Sequence, residues 1–168
     1  MKPPKKENNH NVVLITGAGR RIGREIALDL ARFDWDVVVH YNGSKADADD
    51  LIQTITSFGG QAAAVQANLL REKETVALME RASKIFGPIT CLINNASIFE
   101  EDTATTQGRD IWDRHMEVNF RAPFLLSQEL AAQMPSGERG NIINILDQKV
   151  WNLTPEFTSY TLSKAGLW

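Results

Sequence analysis

A glycine-rich loop near the amino terminus constrains the fold more than any other feature of this chain. The apolar run Val12–Ile15 is followed by Thr16-Gly17-Ala18-Gly19-Arg20-Arg21-Ile22-Gly23, and a helix-period segment comes next. This order of strand, glycine loop and helix is typical of a dinucleotide-binding unit, in which N–H groups at the helix start hold a pyrophosphate. We expect Gly17 to permit the tight turn, Gly19 to let the backbone approach the phosphates, and Gly23 to let the helix pack close to the strand.

Short apolar runs alternate with helix-period segments along the rest of the chain. The runs are Val12–Ile15, Val37–Val39, Ala62–Ala67, Ile89–Ile93 and Ile142–Leu146. Runs of this kind suit parallel strands that are buried on both faces. The pattern therefore predicts an α/β fold, a Rossmann-type doubly wound parallel sheet in three layers (α/β/α) with strand order 3-2-1-4-5. In that order Ile142–Leu146 becomes an open edge.

The helix patterns also predict buried faces and a domain boundary. Apolar residues at positions 22, 26, 30 and 33 predict the buried face of the first helix. Residues 1–10 are interpreted as a disordered tail, and residues 11–168 as one domain. The last helix, expected from Phe157, ends on Leu167 and Trp168 without a cap, so we expect an incomplete domain whose C-terminal strands are missing.

Composition narrows the class of partner and the compartment. The net charge of −3 argues against nucleic acid, and no apolar stretch is long enough for a signal peptide or a membrane span. The single cysteine, Cys91, fits a reducing, cytoplasmic compartment. Three acids, Asp47, Asp49 and Asp50, lack the glycine and glutamate of a calcium loop and are interpreted as a solvated helix start, so we expect no metal site.

The segment that follows the second strand bears on the choice of cofactor. His40-Tyr41-Asn42-Gly43-Ser44-Lys45 contains hydroxyl, amide and ammonium donors and no acid. An acid at this place is typical of sites that prefer NAD, and it would repel the 2′-phosphate of NADP. Arg20 and Arg21 add two cations at a helix start, where they oppose the helix dipole unless an anion binds. These features favour NADPH.

Two residues of the last helix form a candidate catalytic pair. Tyr160 and Lys164 are four residues apart, so they share one face of a helix. A nearby ammonium lowers the pKa of a phenol, which brings it closer to proton exchange at neutral pH. Asp147 follows the fifth strand, at the edge of the sheet where such folds bind ligands. The three side chains are therefore expected to meet.

Asn119 is expected inside a long helix that begins near Gly108. Pro123 has no N–H, so in an α-helix the carbonyl of Asn119 would be left without its usual donor. That carbonyl could hold a water beside the Lys164 ammonium, or the proline could simply kink the helix. The spacing alone leaves both readings open.

Taken together, these motifs resemble the short-chain dehydrogenase/reductase family. From Val12 to the chain end the sequence carries, in order, Thr16–Gly23, Asn94-Asn95-Ala96, Asn119 and Tyr160-x-x-x-Lys164. Within the family, the chain resembles the pteridine reductases and dihydromonapterin reductases in three details. Arg21 stands where most members have glycine, Asn-Asn-Ala continues as Ser97-Ile98-Phe99, and Asp147 stands where most members have the catalytic serine.

The resemblance implies roles for these residues. Tyr160 would donate the proton, Lys164 would bind ribose and depress the pKa of the tyrosine, and Asn119 would anchor a relay water. Asp147 would orient Tyr160 and relay protons. The implied substrate contacts are Arg21, Ser97, Phe99, Asp147 and Tyr160.

The resemblance also implies a set of residues that bind NADP(H). The set is Gly17, Gly19, Arg20, Arg21, Ile22, Gly23, His40, Tyr41, Asn42, Ser44, Asn68, Leu69, Asn95, Ala96, Ser97, Tyr160 and Lys164. Two positions depart from the family pattern. Asn68 replaces an aspartate that usually lies near the adenine, and Gly43 replaces an arginine that often meets the 2′-phosphate.

The expected function is hydride transfer from NADPH to a pteridine-like or related carbonyl or imine substrate. The full-length protein is expected to be a homo-oligomer, a dimer or a tetramer. Two alternatives stay open. The first is a ketone or 3-oxoacyl-thioester reductase of the same family, which Asp147 and Phe99 count against. The second is a truncated remnant that binds cofactor without turnover.

Overall fold

A parallel sheet organises residues 11–105 and 109–168, the part of the chain that the computed structural model describes. Its strands are β1 (Val12–Ile15), β2 (Asp36–Tyr41), β3 (Ala62–Gln66), β4 (Cys91–Asn94) and β5 (Asn141–Asn144). They pair in parallel in the order β3-β2-β1-β4-β5. The predicted strand order is confirmed.

Helices cover both faces of this sheet. They are α1 (Arg21–Arg32), α2 (Lys45–Ser57), α3 (Glu72–Phe86), α4 (Asp110–Met116), α5 (Ala122–Gln133) and α6 (Thr158–Leu167). One core cluster joins α1 and α2 to Val13 and Ile15, and the other joins α3 and α5 to Leu14 and Leu92. Alternate residues of the same strands thus enter opposite cores, which confirms the three-layer, doubly wound architecture. In the described part of the chain, none of the helices has the length and apolar content needed to span a membrane.

The buried face of α1 differs from the predicted one. Ile22 and Phe33 are exposed, with relative accessibilities of 58% and 74%. The buried residues of the helix are instead the small Gly23, Ala27 and Ala31, together with Leu28. Small side chains let α1 approach the sheet closely, and the apolar pattern that marked the larger residues could not show this.

Strand β5 also departs from the prediction that every strand is buried on both faces. All four of its residues are exposed, including Ile142 at 45% and Ile143 at 46%. Among the described residues the strand pairs with β4 alone, which leaves its outer edge without a partner there, as the predicted strand order requires. The prediction of burial was wrong because an apolar run does not reveal whether a neighbouring element covers it.

The helix around Asn119 is not a continuous α-helix. Glu117–Arg121 is a π-helical turn between α4 and α5, and the N–H of Ala122 bonds to the carbonyl of Glu117. A π turn widens the helix by one residue, often near a functional residue. It ends two residues before Pro123, the second residue of α5. The predicted start near Gly108, like the predicted disordered tail over residues 1–10, lies outside the described residues.

Candidate active site

A cleft of about 640 Å³ lies along the carboxyl ends of the strands. Every predicted cofactor, substrate or catalytic residue lines it except Gly19, Gly23 and Asn119, which lie behind its surface. The cleft is also lined by residues to which the sequence assigned no contact: Gly43, Leu70, Ile98, Val118, Ile145 and Leu146. Most of these are sequence neighbours of predicted residues, so position after a strand end could have identified them.

The glycine loop is packed so closely that side chains could not replace two of its glycines. Gly17 has φ +63°, and a Cβ there would lie 3.1 Å from the Cα of Ala96. A Cβ on Gly23 would lie 2.5 Å from Nδ2 of Asn95. That amide donates to the carbonyls of Thr16 at 2.9 Å and Gly17 at 3.2 Å. Gly23 therefore leaves room for the Asn95 side chain that holds the loop from below.

His40 joins the glycine loop to the neighbouring strand ends. Its Nδ1 accepts a hydrogen bond from the N–H of Gly17 at 3.1 Å, and its Nε2 lies 3.0 Å from the carbonyl of Ala67. Burial lowers the pKa of His40 from 6.5 to about 4, so the ring is neutral at neutral pH. Because a carbonyl only accepts, Nε2 carries the proton. The ring lines the floor of the cleft and is 1% exposed.

The cations near the glycine loop are mostly paired with acids of α2. Arg20 lies 2.6 Å from Asp47, which raises the pKa of the guanidinium and lowers that of the carboxyl. Ion pairs also join Lys45 to Asp49 and Arg24 to Asp50. The three acids interpreted as a solvated helix start thus have basic partners. Arg21, by contrast, has no ion pair within the described residues, lines the cleft and has φ +51°.

Tyr160 and Asp147 form the centre of the other half of the cleft. The Tyr160 hydroxyl donates to Oδ2 of Asp147 at 2.8 Å. Burial, followed by the Asp147 contact, raises the pKa of Tyr160, opposite to the direction expected from Lys164. Lys164 instead donates to the carbonyl of Ile145 at 2.9 Å, and burial lowers the pKa of its ammonium. The phenol is therefore held protonated, with a carboxylate as its acceptor.

Asn119 lies behind the cleft and contacts its wall. Its Oδ1 accepts from the N–H of Ile98 at 2.9 Å and from the Ser97 hydroxyl at 3.2 Å. Its Nδ2 donates to the carbonyl of Ile98 at 3.0 Å and to the Ser163 hydroxyl at 3.2 Å. The side chain thus fixes the segment that carries Ser97 to the helix that carries Lys164.

An aromatic cluster borders Tyr160. The Phe99 ring stacks on Phe157 with centroids 4.1 Å apart and meets the Tyr160 ring edge-on at 4.7 Å. Phe157 precedes α6 with φ +64°, an uncommon conformation for a bulky residue. Phe99 is a predicted substrate contact, whereas its ring neighbour Phe157, three residues before Tyr160, was not predicted from the sequence.

The sequence is similar to known proteins of one family. The short chain dehydrogenase family model matches residues 11–168. The chain belongs to the short-chain dehydrogenase family. A short-chain type dehydrogenase/reductase from Picea abies is 33% identical over 164 residues, which cover 93% of this chain and 60% of that protein. The 3-oxoacyl-[acyl-carrier-protein] reductase FabG of Staphylococcus epidermidis is 32% identical over 154 residues, which cover 92% of this chain and 63% of FabG.

Solved structures of other short-chain dehydrogenases share the fold. The FolM alternative dihydrofolate reductase 1 from Brucella canis, complexed with NADP, superposes with a TM-score of 0.89 at 40% identity, over 94% of this chain and 64% of that one. The angucycline C-6 ketoreductase LanV with bound NADP superposes with a TM-score of 0.85 at 31% identity, over 94% and 63%. The chain spans less than two thirds of the length of these proteins.

Proposed function

We propose that this short-chain dehydrogenase is an NADPH-dependent reductase of pteridine-like or related carbonyl or imine substrates. The observation that carries the proposal is that one cleft contains both a predicted cofactor site and a predicted proton donor. One half is the glycine loop with its cations, and the other is the Tyr160–Asp147 pair at 2.8 Å beside the Phe99 ring. A cofactor site and a proton donor that share a cleft suit transfer of a hydride and a proton to one substrate.

The residues present fit a phosphorylated dinucleotide. Close packing of Gly17 and Gly23 leaves the loop backbone, and not side chains, at the start of α1, where N–H groups favour an anion. Arg21 lines the cleft without an acidic partner among the described residues, and Arg20 stands at its rim. The loop from Asn42 to Ser44 contains no acid that would repel a 2′-phosphate. NADPH, when bound, supplies the hydride.

Tyr160 is the proposed proton donor. The phenol is protonated at neutral pH, as a donor in the reductive direction must be, but burial and the Asp147 contact raise its pKa and make it a weaker acid than one matched to neutral pH. The hydroxyl proton passes to the substrate oxygen or nitrogen as the neighbouring carbon accepts the hydride, and solvent returns a proton to the phenolate. Asp147 orients the hydroxyl through its acceptor oxygen. Asn119 fixes the Ser97 segment beside it.

The aromatic wall supports a flat substrate. Phe99 is 54% exposed and lines the cleft next to Tyr160, so a planar ring can stack on its accessible surface. Asp147 offers a carboxylate that can accept hydrogen bonds from ring N–H groups, which a serine at this place would do less well. The likeness to FolM, described as an alternative dihydrofolate reductase, agrees with this choice.

The test is NADPH consumption with dihydrofolate and with acetoacetyl-CoA as alternative substrates, in the full-length protein and in its Asp147→Ser variant. We expect turnover of dihydrofolate and a larger loss of that activity than of thioester reduction in the variant. An equal loss on both substrates would leave Asp147 with a general orienting role. Consumption with neither substrate would contradict the proposal.

A second candidate function is reduction of a 3-oxoacyl thioester. The similarity to FabG favours it. In this case acetoacetyl-CoA would be the better substrate, and replacement of Phe99 by leucine would leave its turnover close to the parent value. A strong preference for dihydrofolate that Phe99→Leu removes would decide against it.

A further inference from the structure

A buried histidine outside the proposed site joins the two chain segments that meet at Tyr160. The Nδ1 of His115, on α4, lies 2.7 Å from the hydroxyl of Ser159, and its Nε2 accepts from the N–H of Glu100 at 3.1 Å. Ser159 directly precedes Tyr160, and Glu100 directly follows Phe99. A single imidazole therefore connects the neighbours of the two rings that meet edge-on at 4.7 Å.

The hydrogen bonds fix one tautomer of His115. A backbone N–H can only donate, so Nε2 is the acceptor and Nδ1 carries the proton toward Ser159. His115 and Ser159 are both fully buried, so water does not compete for either bond. The imidazole edge also lies against Tyr160, with ring centroids 5.8 Å apart.

Neighbouring contacts reinforce the same junction. Both carboxylate oxygens of Asp102 accept from the N–H of Ser159, at 3.2 and 3.1 Å, and its carbonyl accepts from the N–H of Phe157 at 2.7 Å. An ion pair joins Glu100 to Arg114, the residue before His115. The segment after Phe99 is thus held on one side by α4 and on the other by the start of α6.

His115 repeats, one helical turn earlier, the arrangement found at Asn119. Asn119 connects Ile98, which precedes Phe99, to Ser163, which precedes Lys164. His115 connects the residue after Phe99 to the residue before Tyr160. Two side chains four residues apart therefore hold Phe99 from both sides against the helix that carries the tyrosine and the lysine.

We propose that His115 is a positioning residue that sets the Phe99 ring against Tyr160 by bridging the Glu100 N–H and the Ser159 hydroxyl. The catalytic consequence of this proposal, alignment of a flat substrate with the proton donor, rests on the proposed function. The placement of Phe99 by His115 does not depend on that function. His115 touches neither the cleft nor the Tyr160 hydroxyl, so it acts through Phe99 and α6.

The test uses fluorine NMR of the 168-residue chain labelled with fluorotyrosine. The chain has two tyrosines, and Tyr41→Phe assigns the resonance of Tyr160. We expect a single Tyr160 resonance in the parent chain and a shifted or split one in His115→Leu. Ser159→Ala, which removes only a hydroxyl, should move it in the same way. His115→Gln, whose amide can both accept and donate, should restore it toward the parent position.

A matched control separates positioning from general loss of stability. Leu51→Ala removes a buried side chain of α2, in the core cluster that joins α1 and α2 to the sheet, and should lower the melting temperature without moving the Tyr160 resonance. Nitrogen NMR of the unmodified chain should find His115 protonated on Nδ1. A resonance unmoved in both His115→Leu and Ser159→Ala, or protonation of His115 on Nε2, would overturn the proposal.

The functional consequence has a separate measurement. In His115→Leu, kcat for dihydrofolate should fall while the Kd for NADPH stays within about twofold, because His115 lies away from the glycine loop. A changed Tyr160 resonance without any dihydrofolate turnover in the parent chain would count against the proposed substrate and leave the positioning role standing. A changed resonance with parental kcat would overturn the catalytic part alone.

Discussion

In the half of the cleft that β1 and β2 supply, the strands are buried and the backbone does most of the positioning. The residues of β1 are at most 1% exposed, and the glycine loop is fixed by close approach at Gly17 and Gly23. In the half that β5 and α6 supply, every residue of β5 is exposed, and order comes from side-chain bridges such as those of Asn119 and His115. The first half depends on packing and the second on a few specific hydrogen bonds.

One neutral histidine supports each half: His40 lines the cleft, and His115 lies behind the half that contains Tyr160. The hydrogen bonds of the two rings run in opposite senses. His40 accepts at Nδ1 and donates from Nε2, whereas His115 accepts at Nε2 and donates from Nδ1. In both cases the partner that can only donate or only accept decides the tautomer. Variants that act on one half should therefore leave the other intact.

The largest expected effect is in the catalytic half. Tyr160→Phe in the full-length protein removes the proposed proton donor, so turnover should fall by roughly 10²- to 10⁴-fold, the usual contribution of a general acid. NADPH affinity should stay close to the parent value, because the glycine loop is unchanged. Steady-state kinetics and a fluorescence titration measure the two. Retained kcat would remove Tyr160 from the mechanism.

The next effect is a pH dependence of stability that comes from the cofactor half. The pKa of His40 is lowered from 6.5 to about 4, so its contribution is present above pH 6.5 and is lost as the pH falls through that window. Between about pH 7 and pH 5 the free energy of unfolding should fall by about 2 kcal/mol from this group. Urea unfolding at both pH values checks this.

His40→Asn is the control for that measurement. It removes the titrating ring, so stability should change less with pH than in the parent chain. Some dependence should remain, since burial also lowers the pKa of His115. An unchanged pH slope in His40→Asn would contradict the assignment to His40.

A smaller effect is expected from crowding the glycine loop. Gly23→Ala would place a Cβ 2.5 Å from the Asn95 amide and 2.8 Å from the Gly17 carbonyl, so it should cost about 1–3 kcal/mol of stability and weaken NADPH binding. Gly43→Ala is the matched control, since a Cβ there meets no atom within 4 Å. Equal melting temperatures for the two variants would show that the loop is less tightly packed than described.

Sequence patterns predicted the arrangement of the cofactor half better than that of the catalytic half. The reason is that the first depends on local sequence and the second on contacts between distant segments. Strand order and the glycine positions follow from local periodicity and backbone conformation, which the sequence carries directly. The exposure of β5 and the buried small face of α1 depend on which elements lie nearby. The hydrogen bond of His115 to Ser159 and the stacking of Phe157 on Phe99 join residues that are distant along the chain. The four-residue spacing of His115 and Asn119 did indicate that both lie on one face of a helix.

The acids of α2 show the same limit. The sequence predicts a solvated helix start at Asp47, Asp49 and Asp50, but it does not predict their three ion pairs. Two of those pairs join elements that only the fold brings together. One of the pairs holds Arg20, which is one of the two cations assigned to the cofactor. Arg20 would therefore have to leave Asp47 in order to contact a phosphate.

The central claim is that the cofactor half selects NADPH, and paired fluorescence titrations of the 168-residue chain with NADPH and NADH test it most directly. Arg20, Ser44 and Lys45 are predicted to meet a 2′-phosphate, and the loop after β2 has no acid. We expect NADPH to bind at least about tenfold more tightly, or about 1.4 kcal/mol. Arg20→Gln should reduce the difference in affinity between NADPH and NADH. Equal affinities, or tighter binding of NADH, would contradict the account.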